Sequence, residues 1–415
     1  ETKTNTRIPH PFFREIADQE VAYILSGGIW FRTKDPELEE RLKGYFGDVF
    51  AGQLQEILTD TVVRGFGYVY WYKDEKGRTR FRHADSMGIV EVKDDGDTDT
   101  GNDYIIRHYP VEVKGGRTAT RVEVWDGNRT YYYISTGETL ELDGNVPVNP
   151  RPHVLYQVGG QYYYEETNRL PFLRLDNNRE RLSGVRQIKD IIDDYDVMNC
   201  GLSNNLQDVG EGFYVVKGFK GNSIDELVWN VRSRKAVGVS EKGDVDIRTV
   251  NIPYEARRTK MEIDEKNIYR LGMAFNSSQT GDGNITNIIL KSRYTLLDMK
   301  AGRLITRLKE FLATPLEIVL EEINQACNTA FTPEDVEIVI EPVVPTDEKE
   351  DAEIEKIKAE TVRERTGALL DAASVLDDET LLREICRELE VDFDEVRGRL
   401  EKPDDAALIR EVLSG

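Results

Sequence analysis

The sequence predicts an α+β chain in which long helices carry a small mixed segment, and three observations predict it. Apolar residues recur at helical spacing from 11 to 60, the period shortens to two between 61 and 165, and long helical periods return on both sides of a compact mixed stretch at 212–252. With 415 residues, 39% of them hydrophobic and 32% charged, the chain has room for two to four units of roughly 100 to 200 residues, each with its own core.

Phe12, Phe13, Ile16, Val21 and Ile24 share one helical face, and a second amphipathic stretch runs from Pro36 through Leu58. From 61 to 165 the runs GYVYWY, YIIRHY, RVEVW and RTYYYIS alternate and are separated by EKG, KGG and DGN, which supply turn chemistry for an antiparallel sheet of short strands. KDDGDTDTGND (93–103) has the composition of a calcium loop without its regular acids or closing Glu, and reads as an acidic hairpin loop. Ser183 to Gly210 is a helix with a heptad seam of Val185, Ile188, Ile192, Tyr195, Asn199, Leu202, Leu206 and Val209. At ~1.5 Å per residue it would be roughly 42 Å long. Such a helix suits a strut or channel wall, and equally one member of an ordinary bundle. The mixed stretch that follows reads as a strand (GFYVVKG), a short helix (SIDELVWNVRS) and two strands (AVGVS and VDIRTVNI) about Gly243. A helix over 256–275 and a polar loop, NSSQTGDGN (276–284), come next. A third helix runs from about Ile285 to Ala326, with Pro315 expected to kink it. The strand VEIVIEPVVP (336–345) and at least three short acidic helices complete the chain.

No run approaches the ~18 apolar residues of a membrane span, and the first thirty residues lack a signal-peptide layout, so a soluble protein assembled inside the cell is expected. The chain opens at Glu1 without an initiator Met, which suggests that a segment has been removed. Cys200, Cys327 and Cys386 stand far apart and are odd in number; they are expected to be reduced, mostly buried thiols.

The net charge of −22 argues against a protein that coats nucleic acid, because coating uses Lys and Arg to replace the counterions of phosphates. Most of the acidity is C-terminal: from 334 onward there are 26 acids and 11 bases. Residues 212–252 reverse the sign, with seven bases and five acids, as do 256–275, with five and three. The acidic end reads as a solvated helical face or as a surface that repels a polyanion; charge alone does not separate the two.

Catalysis has one candidate, the carboxylates Asp190, Asp193, Asp194 and Asp196, since divalent-metal nucleases pair acids in this way. The heptad seam turns Ile188, Ile192 and Tyr195 inward and leaves these acids on the outer face, so a solvated role is favoured. His10, His83, His108 and His153 are isolated from one another, without the i,i+4 spacing of a helical zinc site. HADS (83–86) offers a weak general base or a strand-end turn. GDG (281–283) lacks the GK[ST] ending of a P-loop, and no Gly-x-Ser-x-Gly is present.

Three segments carry a resemblance to a known family. NTRIPHPFFREIADQEVAYILSG (5–27) has an Asn and a basic residue ahead of Phe-Phe, Asp-Gln and Tyr-Ile-Leu. DNNRERLSGVRQIKDIIDDYDVMNCGLSNNLQDVGEGFYVVKGF (176–219) has paired Asn, an Ile-Ile-Asp-x-Tyr core, a later Asn and a Val-Val-Lys-Gly strand. LKSRYTLLDMKAGR (290–303) follows the polar loop. In this order they resemble the portal proteins of tailed bacteriophages, especially the type found in long-tailed phages of Gram-positive hosts. The likeness covers nearly the whole chain, with departures at its start and in its short acidic C-terminal region.

The resemblance implies a portal-type subunit: a wing of helices and antiparallel sheet at 1–175, a first stem helix at 176–211, a mixed α/β clip at 212–252 and a second stem helix at 253–275. A tunnel loop at 276–284, a kinked wing helix and strand at 285–346, and a helical crown at 347–415 would follow. It implies a ring of about twelve copies at one capsid vertex, with double-stranded DNA passing through without sequence specificity. Asn276, Ser277, Ser278, Gln279, Thr280, Gly281, Asp282, Gly283 and Asn284 would face the DNA channel. Lys217, Lys220, Arg232, Arg234 and Lys235 would dock the terminase large subunit or a head-completion adaptor. The major capsid and scaffolding proteins would be further partners. No cofactor, metal or catalytic residue is implied; the protein would be a virion component at the portal vertex, assembled in the host cytoplasm. Two other functions stay open on the residues alone: a metal-dependent DNA-processing enzyme using the Asp190–Asp196 carboxylates, and a scaffold ring without a DNA channel.

Overall fold

The computed structural model describes residues 4–93, 104–113, 116–137, 139–165, 167, 169–208, 213–234, 237–248, 253–276, 287–344, 348–389 and 391–400. The chain forms two compact units, one of residues 1–281 and 294–343, the other of 282–293 and 344–415.

In the first unit, α1 (Phe12–Leu25), α2 (Pro36–Tyr45) and α3 (Asp48–Arg64) form the expected N-terminal helices, with Asp35 capping α2 through bonds accepted from Glu37 N and Leu38 N. The helical run predicted for 11–60 is interrupted by β1 (Ile29–Thr33). Its IWFRT pairs antiparallel with β15 (Val336–Ile340), Ile29 opposite Ile340. The partner lies some three hundred positions away, so no local period could announce the strand. Gly65 ends α3 with a φ of +96°, and a Cβ there would stand 2.2 Å from Arg181 O; only glycine fits this turn.

The alternating stretch folds as two sheets and a hairpin where one sheet was expected. β2 (Phe66–Lys73) pairs with β3 (Thr79–Ala84) and with β12 (Phe172–Asp176). A six-stranded sheet comprises β4 (Ile89–Val92), β5 (Tyr104–Val113), β6 (Arg117–Trp125), β7 (Arg129–Ser135), β8 (Leu140–Leu142) and β9 (Arg151–Pro152). β10 (Val154–Val158) and β11 (Gln161–Glu165) form the hairpin. Tyr68, Ala84, Ile89, Ile105, Trp125 and Phe172 close a core between these strands. Of the predicted acidic loop at 93–103 only Lys93 is described; 94–103 lie outside the described residues.

α4 (Lys189–Asp208), β13 (Phe213–Phe219), α5 (Ile224–Trp229), β14 (Val239–Arg248), α6 (Tyr254–Leu271) and α7 (Asn287–Cys327) follow. A 3-10 turn at Gly184–Gln187, capped by Ser183, takes the place of the first turn expected of this helix, and within the described residues α4 has 20 residues and is about 30 Å long, short of the 42 Å expected. α7 buries Leu297, Ala301, Leu304, Leu308, Leu312, Leu316 and Val319 along one face and continues through Pro315. Packing on both sides of the proline offsets the backbone bond that it cannot donate. In the second unit, α8 (Glu348–Asp371) packs on α9 (Asp378–Glu388) and α9 on α10 (Phe393–Leu400), with Cys386 buried. α8, at 24 residues, is not the short helix expected there. No helix among the described residues is long and apolar enough to cross a membrane.

Candidate functional site

The basic segment at 212–252 is a two-stranded ribbon with a helix in its connection. β13 and β14 are antiparallel from Phe213 opposite Arg248 to Lys217 opposite Asp244, and the register then shifts so that Phe219 meets Val239. Residues 240–243 therefore bulge opposite Gly218, whose φ is +68°. AVGVS and VDIRTVNI, expected as two strands about a turn at Gly243, are thus one bulged strand within the described residues. Ser223 caps α5 by accepting from Glu226 N at 3.1 Å, and the helix runs into a π turn at Asn230–Arg234. Lys217, Lys220 and Arg234 are exposed. The Arg234 guanidinium lies 4.7 Å from the Trp229 ring centre, a cation–π contact at the surface. Lys235 and the side chain of Arg232 fall outside the described residues. Charge counting missed an apolar component: Ile224 is 78% exposed, Trp229 53%, and Val228 is exposed beside them. The signal was present, since IDELVW offers a helical apolar face within a segment too small to cover it.

α1, α4 and α6 meet around Ile16, Ile188, Ile192, Ile268 and Tyr269, with Phe12, Phe13 and Tyr195 packed against them. Of the heptad seam, Ile188, Ile192 and Leu202 are buried, Val185, Tyr195 and Asn199 are half-buried, and Leu206 is exposed. Of the four carboxylates, Asp190 is exposed and Asp193 pairs with Lys189 on its own helix. The other two correct the outer-face expectation. Asp194 binds Lys260 of α6, which also binds the buried Asp264, and Asp196 accepts from His10 N at 3.1 Å and faces His10 Nδ1 at 2.7 Å.

His10 belongs to an extended segment that runs antiparallel to α4. Thr6 N donates to Asn204 Oδ1 at 2.7 Å and Ile8 N to Cys200 Sγ at 3.3 Å, so every second residue of the segment meets every fourth residue of the helix. Two extended residues advance about 6.6 Å and four helical ones about 6 Å, so the two periods match. Asn199, the polar position in the seam, lies 3.3 Å from His10 Nε2. Three of the four acids are therefore engaged in helix and segment pairing. Among the described residues no group of three or more His, Cys, Asp or Glu could hold a metal ion. The HADS turn is also structural: Ser86 Oγ donates to Asp60 Oδ2 at 2.8 Å, and His83 Nε2 faces the same oxygen at 2.9 Å. Serine and histidine thus share a carboxylate instead of forming a nucleophile–base pair. Burial pushes the His153 imidazole below its ordinary value, which favours the neutral ring.

Of the polar loop only Asn276 is described, with Nδ2 donating to Glu265 Oε1 at 3.2 Å; 277–284 lie outside the described residues. The residues bracketing the loop are firmly held. Phe275 stacks on Tyr294 at 5.2 Å, Tyr294 lies 5.9 Å from Tyr23, and Tyr23 OH donates to Asp298 Oδ1 at 2.9 Å. Burial first, then the hydrogen bond and charge of Asp298, push the Tyr23 phenol up to about 12.

A sequence profile described as "Phage portal protein, SPP1 Gp6-like" matches residues 1–390. The portal protein of Bacillus phage SPP1 is 28% identical over 306 residues, covering 73% of this chain and 59% of the relative. The portal protein of Clostridium phage phiCD119 is 23% identical over 328 residues, covering 74% of this chain and 69% of that protein. The alignment therefore spans less than two thirds of the SPP1 relative.

Proposed function

The chain belongs to the SPP1 Gp6-like family of phage portal proteins, and from that membership we propose that it is the subunit of a ring through which double-stranded DNA enters and leaves a capsid. The profile match over nearly the whole chain carries this reading. About twelve copies would close the ring through two different faces of each subunit, as a heterologous interface requires. In this reading α4 and α6 serve as stem helices, the β13–β14 ribbon with α5 as the clip, 1–175 as the wing, 276–284 as the tunnel loop and 347–415 as the crown. An overall charge of −22 suits a passage that must not grip phosphate, since stable Lys or Arg contacts repeated around a ring would make DNA movement slow and salt-sensitive. The enzyme alternative has lost its ligand set, because Asp194 and Asp196 are engaged by Lys260 and His10. Electron microscopy of the purified protein tests the proposal directly: closed rings with a central hole support it, and a strict monomer at every concentration and salt sinks it.

Docking of the terminase large subunit or an adaptor is assigned to the ribbon, whose exposed bases stand beside the apolar face of α5. Reversing Arg232, Arg234 and Lys235 to Glu is expected to leave rings intact and to weaken motor or adaptor binding at least tenfold, since three reversed charges remove attraction and add repulsion. Equal binding by parent and variant in a pull-down titration would remove the assignment.

A further inference from the structure

Phe275 and Tyr294 are nineteen positions apart in the sequence, yet both are fastened to one face of α1. Gln19 meets the Phe275 backbone in both directions: its Nε2 donates to Phe275 O at 2.9 Å, and its Oε1 accepts from Phe275 N at 3.1 Å. Glu20, next along the helix and buried, is ion-paired with Lys300 of α7 at 2.7 Å. Tyr23, one turn further on and also buried, reaches Asp298 and the Tyr294 ring. Positions i, i+1 and i+4 of a helix lie on one side, so three successive contacts of α1 hold the start and the end of the intervening segment together.

The chemistry of these contacts matters as much as their placement. Ordinary helix packing needs only apolar side chains. An amide that satisfies both backbone groups of one residue fixes a point on the chain, and a buried carboxylate paired with a lysine tolerates little displacement. Glu15 extends the row by accepting from Tyr269 OH at 2.7 Å and from Gln19 Nε2 at 3.2 Å, which ties the end of α6 to the same face.

We propose that the Gln19–Glu20–Tyr23 face of α1 is a positioning element that fixes both ends of the segment between Phe275 and Tyr294. The functional half of the proposal rests on the reading of this segment as the channel-facing loop.

The test uses the full chain as assembled and compares Gln19→Leu with Ile16→Val, a trimmed core residue on the same helix. Gln19→Leu is expected to preserve ring size, to speed exchange of the Phe275 amide about tenfold as the side-chain acceptor of that N–H is lost, and to lower the DNA retained by filled capsids several-fold. Ile16→Val is expected to lower the melting temperature while leaving Phe275 exchange and retention unchanged. Unchanged exchange in Gln19→Leu overturns the proposal, and so does faster exchange with full retention. Should Gln19→Leu fail to fold, Gln19→Glu keeps the acceptor for Phe275 N but sets a second carboxylate oxygen against Phe275 O, and lost retention is again the expected result. Failure of the portal reading is seen separately, in parent protein that forms no rings or is dispensable for filling; the exchange measurement still decides whether Gln19 holds Phe275.

Discussion

Glu322→Ala is expected to destabilise the chain by about 3 kcal/mol, more than any surface substitution, because it strips the partner from a buried lysine. Glu322 projects from α7 into the junction of α2, β2 and β3. Its Oε2 accepts from Lys73 Nζ at 2.7 Å and Thr79 N at 3.0 Å, and its Oε1 accepts from Tyr45 OH at 2.7 Å. The Lys73 side chain is only 8% exposed. Its second acid, Glu165, stands 3.6 Å away and is too exposed to replace the first. Glu322→Gln keeps an acceptor and loses the charge, so roughly half the loss is expected. Burial alone would raise the Glu322 pKa, but the bonds from Lys73, Thr79 and Tyr45 outweigh it and hold the carboxyl below its usual range. A folded value below the unfolded one means that the contribution is complete above the ordinary glutamate pKa of about 4.3 and is lost as the pH falls through the folded value. Urea titrations at neutral pH and through the acid limb check both parts. The variant should be weaker at neutral pH and lose less stability than the parent on acidification; identical curves would contradict the network.

What could be read in advance followed from local period. α7 was expected at 285–326 and is observed at Asn287–Cys327, and its buried row is the sequence pattern itself. The strands between 66 and 165 were likewise visible in GYVYWY or RVEVW, although their division into two sheets and a hairpin was not. The family was legible in three ordered segments and is shown by the profile match. What stayed hidden depends on partners distant in sequence. β1 is a strand because of β15, Gln19 matters because of Phe275, and Glu322 in an amphipathic helix resembles any solvated glutamate until Lys73 is brought beside it. Gly243 announced a change of direction, but the choice between a turn and a bulge was made by Gly218 on the facing strand. Charge counting found the basic ribbon and passed over the apolar face of α5, because burial is decided by the rest of the fold.

The second large effect is expected at Lys260, which pairs with the carboxylate cluster that the sequence offers as a metal-site candidate and favours as a solvated face. Lys260 Nζ bridges Asp194 of α4 and Asp264 on its own helix, and the Asp264 side chain is only 7% exposed. Lys260→Met keeps most of the aliphatic stem and removes the charge, leaving both acids turned towards one vacated point. A loss of about 2 kcal/mol is expected, limited because the Lys260 and Asp194 side chains are half-exposed and water screens their charges. Asp193→Asn, by contrast, touches only an exposed pair with Lys189 and should change stability by less than about 0.5 kcal/mol. The pairing also predicts a coupling: once Lys260 is Met, Asp194→Asn removes repulsion and should restore part of the loss, although in the parent it removes attraction and costs stability. A double-mutant cycle in denaturant reads that change of sign. A metal-holding cluster predicts a different pattern, in which Mg²⁺ raises the parent's melting temperature and Asp193→Asn abolishes the rise. Because two of the four acids already have cationic or imidazole partners on other elements, the expected outcome is a sign reversal at Asp194 and no Mg²⁺-dependent shift. The opposite pair of results would return these carboxylates to the enzyme reading.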